Sequence, residues 1–264
     1  MKAIGIDIGS LTTKAVILDD NGSLSLNVTP SGDEPESSAK AVLEEPLGQT
    51  GLNLNHDFYL VSTGIGAKYV SFTHQQKAIT TCLARGVHYL FPSARMAIDM
   101  GAESCNVLKV NERGRINDWV NHDKCAAGTG VFLQQMAKIM QMPLEEMARL
   151  SANAHSIPEI TNTCAVFAES EVISHVHRDP PTPKEDIVAG IYSSVVSRIM
   201  TLCKRIGIER DVAVVGGVAL NSGLVNILEN EIGFKVLMPD TPQIAAALGA
   251  AVIARETIEK GLAR

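Results

Sequence analysis

The chain has 264 residues, 45% hydrophobic, 20% charged and only 4% aromatic, with a formal net charge of −6. That balance describes a globular protein with an aliphatic core and argues against a broad nucleic-acid surface, which needs clustered Lys and Arg. No run of about 18 apolar residues occurs, so no membrane span is expected, and MKAIGIDIGS reads as a strand and turn rather than a secretion signal, which points to the cytoplasm.

Met1–Asp20 reads as a β-hairpin: AIGIDIG, a turn around Ser10–Thr13, then KAVILDD. Asp19-Asp20-Asn21-Gly22 is the next turn signal, and SLSLNVTP a third strand. A polar loop at Ser31–Glu36 leads to a helix near Ser38–Glu45 and a strand, DFYLVSTG. The unit then recurs. Ala94–Gly101 (ARMAIDMG) is an apolar strand ending in Asp-x-Gly, followed by CNVLKVN, a turn at Glu112-Arg113-Gly114, and RINDWVN. The echo of Ile6–Gly9 in Ile98–Gly101, at the same point of two matching strand patterns, predicts an internal duplication.

From Gly128 to Arg205 the chain turns helical. Val131, Phe132, Met136, Ile139 and Met140 keep a helical spacing. Pro143 opens PLEEMARLSANA at its first turn, and AVFAESEVISHV and EDIVAGIYSSVVSRIMTLCKRI are two further helices. Asp211–Gly217 is a buried strand ending in a glycine pair, Phe234–Met238 a strand, and Pro242–Lys260 a final helix. No low-complexity linker intervenes. The expected domains are 1–93 with the C-terminal helix 243–264, and 94–242, hinged near Phe91–Ala94 and near the final helix.

Three motifs carry phosphate or nucleotide chemistry. In Asp7–Lys14 (DIGSLTTK) a carboxylate ends a strand and a tight turn of small residues lets backbone N–H groups approach phosphate oxygens, with Thr12, Thr13 and Lys14 adding donors and a positive charge. Asp7 suits a hydrated Mg²⁺, which uses few protein carboxylates. In Ile98–Ser104 (IDMGAES), Asp99 is a second carboxylate across a cleft, and Glu103 is placed to position an attacking water. In Val214–Leu224, Gly216-Gly217 bares backbone against which an adenosine can lie. Taken singly, an ordinary hairpin turn, a solvated Glu103 and a plain strand-to-helix turn account for them equally well. Ala245–Ala254 allows close helix packing through Gly249.

There are five cysteines, an odd number and widely spaced, which makes a disulfide framework a poor reading. Cys82, Cys105 and Cys203 read as small buried apolar residues. Cys125 in NHDKCAAGTGVFL and Cys164 in NTCAVFAESEVIS each precede a helix, whose N-terminus stabilises a thiolate. Chemistry alone leaves these two open between cluster ligands and inert side chains.

The order Asp-x-Gly-Ser at the N-terminus, Asp-x-Gly at Asp99, Gly-Gly-Val-Ala from Gly216 and Leu-Gly-Ala-Ala from Leu248 resembles the phosphate 1, phosphate 2, adenosine and connecting motifs of the acetate kinase, sugar kinase, heat-shock chaperone and actin superfamily. That resemblance spans essentially the whole chain. It implies an α/β fold, a duplicated actin-like (ribonuclease H-like) ATPase with two domains closing over ATP or ADP and Mg²⁺. CAAGTG followed by TCAVFAESEVIS resembles the activator (archerase) proteins of 2-hydroxyacyl-CoA dehydratases and the ATPase subunits of benzoyl-CoA reductases. The resemblance implies an ATPase of anaerobic metabolism, a homodimer sharing one [4Fe–4S] cluster on Cys125 and Cys164, with ferredoxin or flavodoxin as electron source and a cluster-bearing dehydratase or reductase as partner. It further implies Asp7, Asp99 and Glu103 in catalytic roles and Gly9, Ser10, Leu11, Thr12, Thr13, Lys14, Gly101, Ala102, Gly216, Gly217, Val218 and Gln243 in the nucleotide site.

Two departures stand out. The activators read Asp-Ile-Gly-Gly-Gln-Asp where this chain has Asp99-Met100-Gly101-Ala102-Glu103-Ser104, so Glu103 replaces the water-orienting Gln and Ala102 resembles the reductase branch. Family members often read Thr-Gly-Tyr-Gly-Arg where this chain has Thr63-Gly64-Ile65-Gly66-Ala67. Two other readings remain at this stage: a small-molecule kinase of the same fold, and a non-catalytic ATP sensor whose cysteines are structural.

Overall fold

A computed structural model describes residues 1–19, 22, 24–50, 58–122 and 129–263. The strand β1 (Lys2–Ile8) is buried from Ala3 onward, as a strand covered on both faces must be. β2 (Thr12–Leu18) runs antiparallel beside it and β3 (Leu24–Pro30) antiparallel to β2. After α1 (Pro35–Thr50), β4 (Phe58–Thr63) returns parallel to β1 on its other side, with the two-residue β5 (Gln75–Gln76) beyond it. α2 (Ile79–Leu90) leads to a second sheet of β6 (Met96–Met100), β7 (Cys105–Val110) and β8 (Ile116–His122). The helices α3 (Gly130–Met140), α4 (Leu144–Leu150), α5 (Ala165–His177) and α6 (Lys184–Ile206) follow, then β9 (Val212–Val215), parallel to β6, and α7 (Ser222–Ile232) and α8 (Ala245–Glu259).

The sheet orders are β3-β2-β1-β4-β5 and β8-β7-β6-β9. Four strands of each sheet therefore share one order and one set of directions, which is the duplication the echoed tetrapeptide predicts.

Period-two alternation sorts the core. On β1, Ile4, Ile6 and Ile8 pack with Val42 and Leu43 of α1, whereas Ala3 packs with Ala247 and Ala251 of α8. On β6 and β9, Met96, Ile98, Val212 and Val214 face the helical layer built around α6, and Ala97, Ala213 and Val215 face Leu83, Val87, Ala245 and Ala246. The helices α2 and α8 thus fill the space between the two sheets. Their close approach depends on glycine: a Cβ on Gly249 would overlap the carbonyl of Cys82, and one on Gly86 the carbonyl of Ala245.

Among the described residues α6 is long and apolar enough to cross a membrane by length and composition, but 78% of that stretch is buried inside the protein, where it forms the spine of the second core. Four local expectations change. The helix foreseen at Ser38–Glu45 extends over Pro35–Thr50. The helix α2 was not foreseen. Pro143 caps α4 rather than lying within it. Phe234–Met238 is not a strand. Only Leu237 bridges β9, donating its N–H to Val212 and accepting from Val214. The next rung needs the N–H of residue 239, which is Pro239 and has none.

Candidate nucleotide site

A cleft of about 670 Å³ opens where the ends of β1 and β6 meet, a volume suited to a small-molecule cofactor. Asp7, Gly9, Ser10, Leu11, Thr12 and Lys14 line one side, Asp99, Gly101, Ala102 and Glu103 the other, and Gly216, Gly217, Val218 and Gln243 the end. Thr13 is the exception among the residues predicted to bind nucleotide. Alternation along β2 turns it away from the cleft, fully buried, with its hydroxyl 2.8 Å from that of Ser31. The Ser31 hydroxyl in turn donates to the Gly9 carbonyl at 2.8 Å. Thr13 therefore braces the turn from behind.

The two halves repeat the same arrangement of backbone and carboxylate. The Gly9 N–H donates to the Thr12 carbonyl at 3.1 Å, and the Gly101 N–H to the Ser104 carbonyl at 2.8 Å. Asp7 lies opposite Lys14 across β1–β2, and Asp99 opposite Asn106 across β6–β7. Lys14 Nζ reaches Asp7 Oδ2 at 3.1 Å, and Asn106 Nδ2 donates to Asp99 Oδ2 at 3.0 Å. On the parallel side, Gly64 after β4 and Gly216 after β9 hold φ of +88° and +91°, a conformation that favours glycine. A Cβ would lie 2.5 Å from Asp7 Oδ1 in the first case and 2.7 Å from Asp99 Oδ1 in the second. Each carboxylate is thus held between a side-chain donor and a bare glycine.

The electrostatics of the halves differ. Asp99 is 8% exposed, and burial, reinforced by the Asp7 charge, pushes its carboxyl up to about 6 against the hydrogen bond from Asn106. Asp7 is 4% exposed and its Oδ1 is buried with no hydrogen-bond partner. A buried carboxylate oxygen without a donor is a place for a cation or its water. The carboxylate pair accordingly fits Mg²⁺ held beside a polyphosphate, with the Lys14 ammonium as a fixed charge. At the far end, Gly217 faces open space, and Val218, Leu133, Leu144 and Ala148 provide apolar walls.

Gly64, Gln134, Glu145 and Asn221 also line the cleft and are not among the site residues the sequence points to. Gly64 could have been found by extending the duplication one strand, since it matches Gly216. Gln134 and Glu145 carry no such signal, because only the packing of α3 and α4 brings them to the cleft.

Among the cysteines, Cys82, Cys105 and Cys203 are buried, and burial pushes their thiols up, Cys82 and Cys203 to about 12. Cys164 is half-buried and caps the N-terminus of α5. Cys125 lies outside the described residues. Arg198 of α6 joins the chain shortly before each of these two positions: its guanidinium hydrogen-bonds the His122 ring, where β8 ends, and donates to the carbonyls of Asn162 and Thr163, directly before Cys164. A half-buried thiol at a helix N-terminus, on a loop fixed by backbone hydrogen bonds, fits a cluster ligand.

Duplicated sheets facing each other across two Asp-x-Gly loops define an actin-like ATPase. A glucokinase of the ROK family from Streptomyces griseus shares this fold at 13% identity and TM-score 0.57, over 97% of this chain and 100% of that one. The sequence model of the BadF/BadG/BcrA/BcrD ATPase family matches residues 4–254, and the chain belongs to that family. It is 42% identical to the 2-hydroxyisocaproyl-CoA dehydratase activator of Clostridioides difficile, over 96% of this chain and 95% of the other. It is 36% identical to the activator of lactoyl-CoA dehydratase of Anaerotignum propionicum, over 98% and 100%. The structure of the Clostridium difficile activator with bound ADPNP superposes with a TM-score of 0.92 at 41% identity, covering 99% of this chain and 97% of that one.

Proposed function

We propose that this chain is an ATP-dependent one-electron donor, a cytoplasmic homodimer in which Cys125 and Cys164 of both copies hold one [4Fe–4S] cluster, and that it serves a 2-hydroxyacyl-CoA dehydratase. A four-iron cluster needs four ligands, and a two-fold axis supplies the pair that one copy lacks. When bound, the cluster supplies a centre that accepts and gives one electron at low potential, with ferredoxin or flavodoxin as its source. Val166 and Phe167, on the first turn of α5 beside Cys164, are 65% and 66% exposed and suit an apolar contact around it.

In the cleft, the turn amides after Asp7 and Asp99 and the Lys14 ammonium bind the phosphates. Asp7 and Asp99 hold the hydrated Mg²⁺, Glu103 on the rim orients the attacking water, and Gly216-Gly217 with Val218 and Gln243 seat the adenosine. ATP and ADP differ in their preference for the closed over the open arrangement of the domains 1–93 and 94–242, and that difference in affinity is the coupling free energy.

One observation carries the link from nucleotide to cysteine. The Gly130 N–H donates to the Gly101 carbonyl at 3.0 Å and the Val131 N–H to the Ala102 carbonyl at 2.9 Å, so the first turn of α3 is bonded to the phosphate-side loop. In the sequence, Cys125 lies five residues before Gly130. A movement of the Asp99 loop is therefore passed to α3 through backbone hydrogen bonds.

The double variant Cys125→Ser/Cys164→Ser, made as the full chain without oxygen, tests this reading. Iron content and electron delivery to a 2-hydroxyacyl-CoA dehydratase should vanish while ATP binding is retained. Unchanged iron content and delivery would overturn Cys125 and Cys164 as the ligands, and a native protein that neither holds iron nor delivers electrons would be an ATPase with structural cysteines. A benzoyl-CoA reductase assayed in parallel distinguishes the two partner classes.

A further inference from the structure

The duplicated carboxylate clamp has one chemically decisive difference. Both clamps put a cross-strand side chain on Oδ2 of the carboxylate and a positive-φ glycine against Oδ1. In the first, the partner is a cation, Lys14, 3.1 Å from Asp7 and also 3.2 Å from the Thr12 carbonyl. In the second it is a neutral amide, Asn106, 4% exposed and 3.0 Å from Asp99. Asp7 thus has its charge compensated within the protein. Asp99 is fixed in direction by its amide partner and by Gly216, and among the described residues no cation is bonded to it.

We infer that Asn106 is a positioning residue that orients Asp99 without neutralising it, and that this makes the divalent cation arriving with the nucleotide the counter-charge of the second phosphate loop. The inference rests on the nucleotide reading of the cleft. It concerns a side chain outside the cleft lining, which acts only through Asp99. A partner that stands behind a ligand in this way typically changes metal affinity by about 10–100-fold when replaced.

The test uses charge of both signs at one position. Calorimetry of ADP binding to the purified full chain, in Mg²⁺ and in EDTA, gives the ratio of the two dissociation constants. Asn106→Lys, which copies the first clamp, should strengthen metal-free binding and shrink that ratio by about tenfold. Asn106→Asp should widen it by a similar factor. Asn106→His, which keeps a neutral donor, should stay within about threefold of the native ratio and serves as reference for either charged variant if the other does not fold. A purely structural role would weaken binding in both charged variants and move the ratio in one direction or not at all, and either result overturns the inference. If the native protein binds ADP in neither condition, the nucleotide reading itself fails.

Discussion

Asp99 is a buried carboxyl whose ionisation costs stability. Burial lifts its carboxyl from 3.8 to about 6, so the folded protein holds a proton there that the unfolded chain has already lost. Because the folded pKa of this acid is raised, stability falls as pH rises from about 4 to 6, and above that the buried charge costs about 3 kcal/mol. Asp99→Asn should therefore melt several degrees higher than the native protein at pH 8 without nucleotide, with the gain gone near pH 4. The same variant should lose Mg²⁺-dependent ATP binding. Thermal melts at the two pH values check the first outcome and calorimetry the second; a lower melting temperature at pH 8 would contradict the stated cost.

At the scale of elements, the glycine contact between α2 and α8 holds the space between the sheets. Gly249→Ala should destabilise the protein by about 3 kcal/mol or more, because the new Cβ meets backbone rather than a movable side chain. Gly48→Ala on the exposed side of α1 meets nothing within 4 Å and should stabilise by about 0.5–1 kcal/mol. Denaturant unfolding of the pair measures both signs; a neutral Gly249→Ala would show that the helices can part. The packing role of Gly249 was legible in its alanine-rich surroundings, and Asp7, Asp99 and the Gly216 turn were legible because short motifs at strand ends report directly on backbone that ligands approach. The helix α2 was missed although Ile79, Leu83, Val87 and Leu90 keep a helical spacing. The error at Phe234–Met238 has a local cause in Pro239. The motif Asp7–Lys14 names Thr13 with its neighbours as a row, whereas a strand presents only every second residue to the cleft. Asn106 and Arg198 carry no signal of their own, since their meaning comes from what stands opposite them.

At the scale of the molecule, the nucleotide cleft lies between two matching sheets, its Asp99 loop is hydrogen-bonded to the first turn of α3, and Arg198 ties the end of β8 to the chain before Cys164. The helix α5, which Cys164 caps, packs in the helical layer covering the second sheet. In the proposed function, Cys125 and Cys164 are what turns an ATPase into an electron donor. The most direct test is the iron and sulfide content of the full-length protein purified and reconstituted without oxygen, with the oligomeric state measured on the same sample. A brown dimer with about four iron atoms for two chains is the predicted result. A colourless dimer that remains free of iron after reconstitution would contradict it.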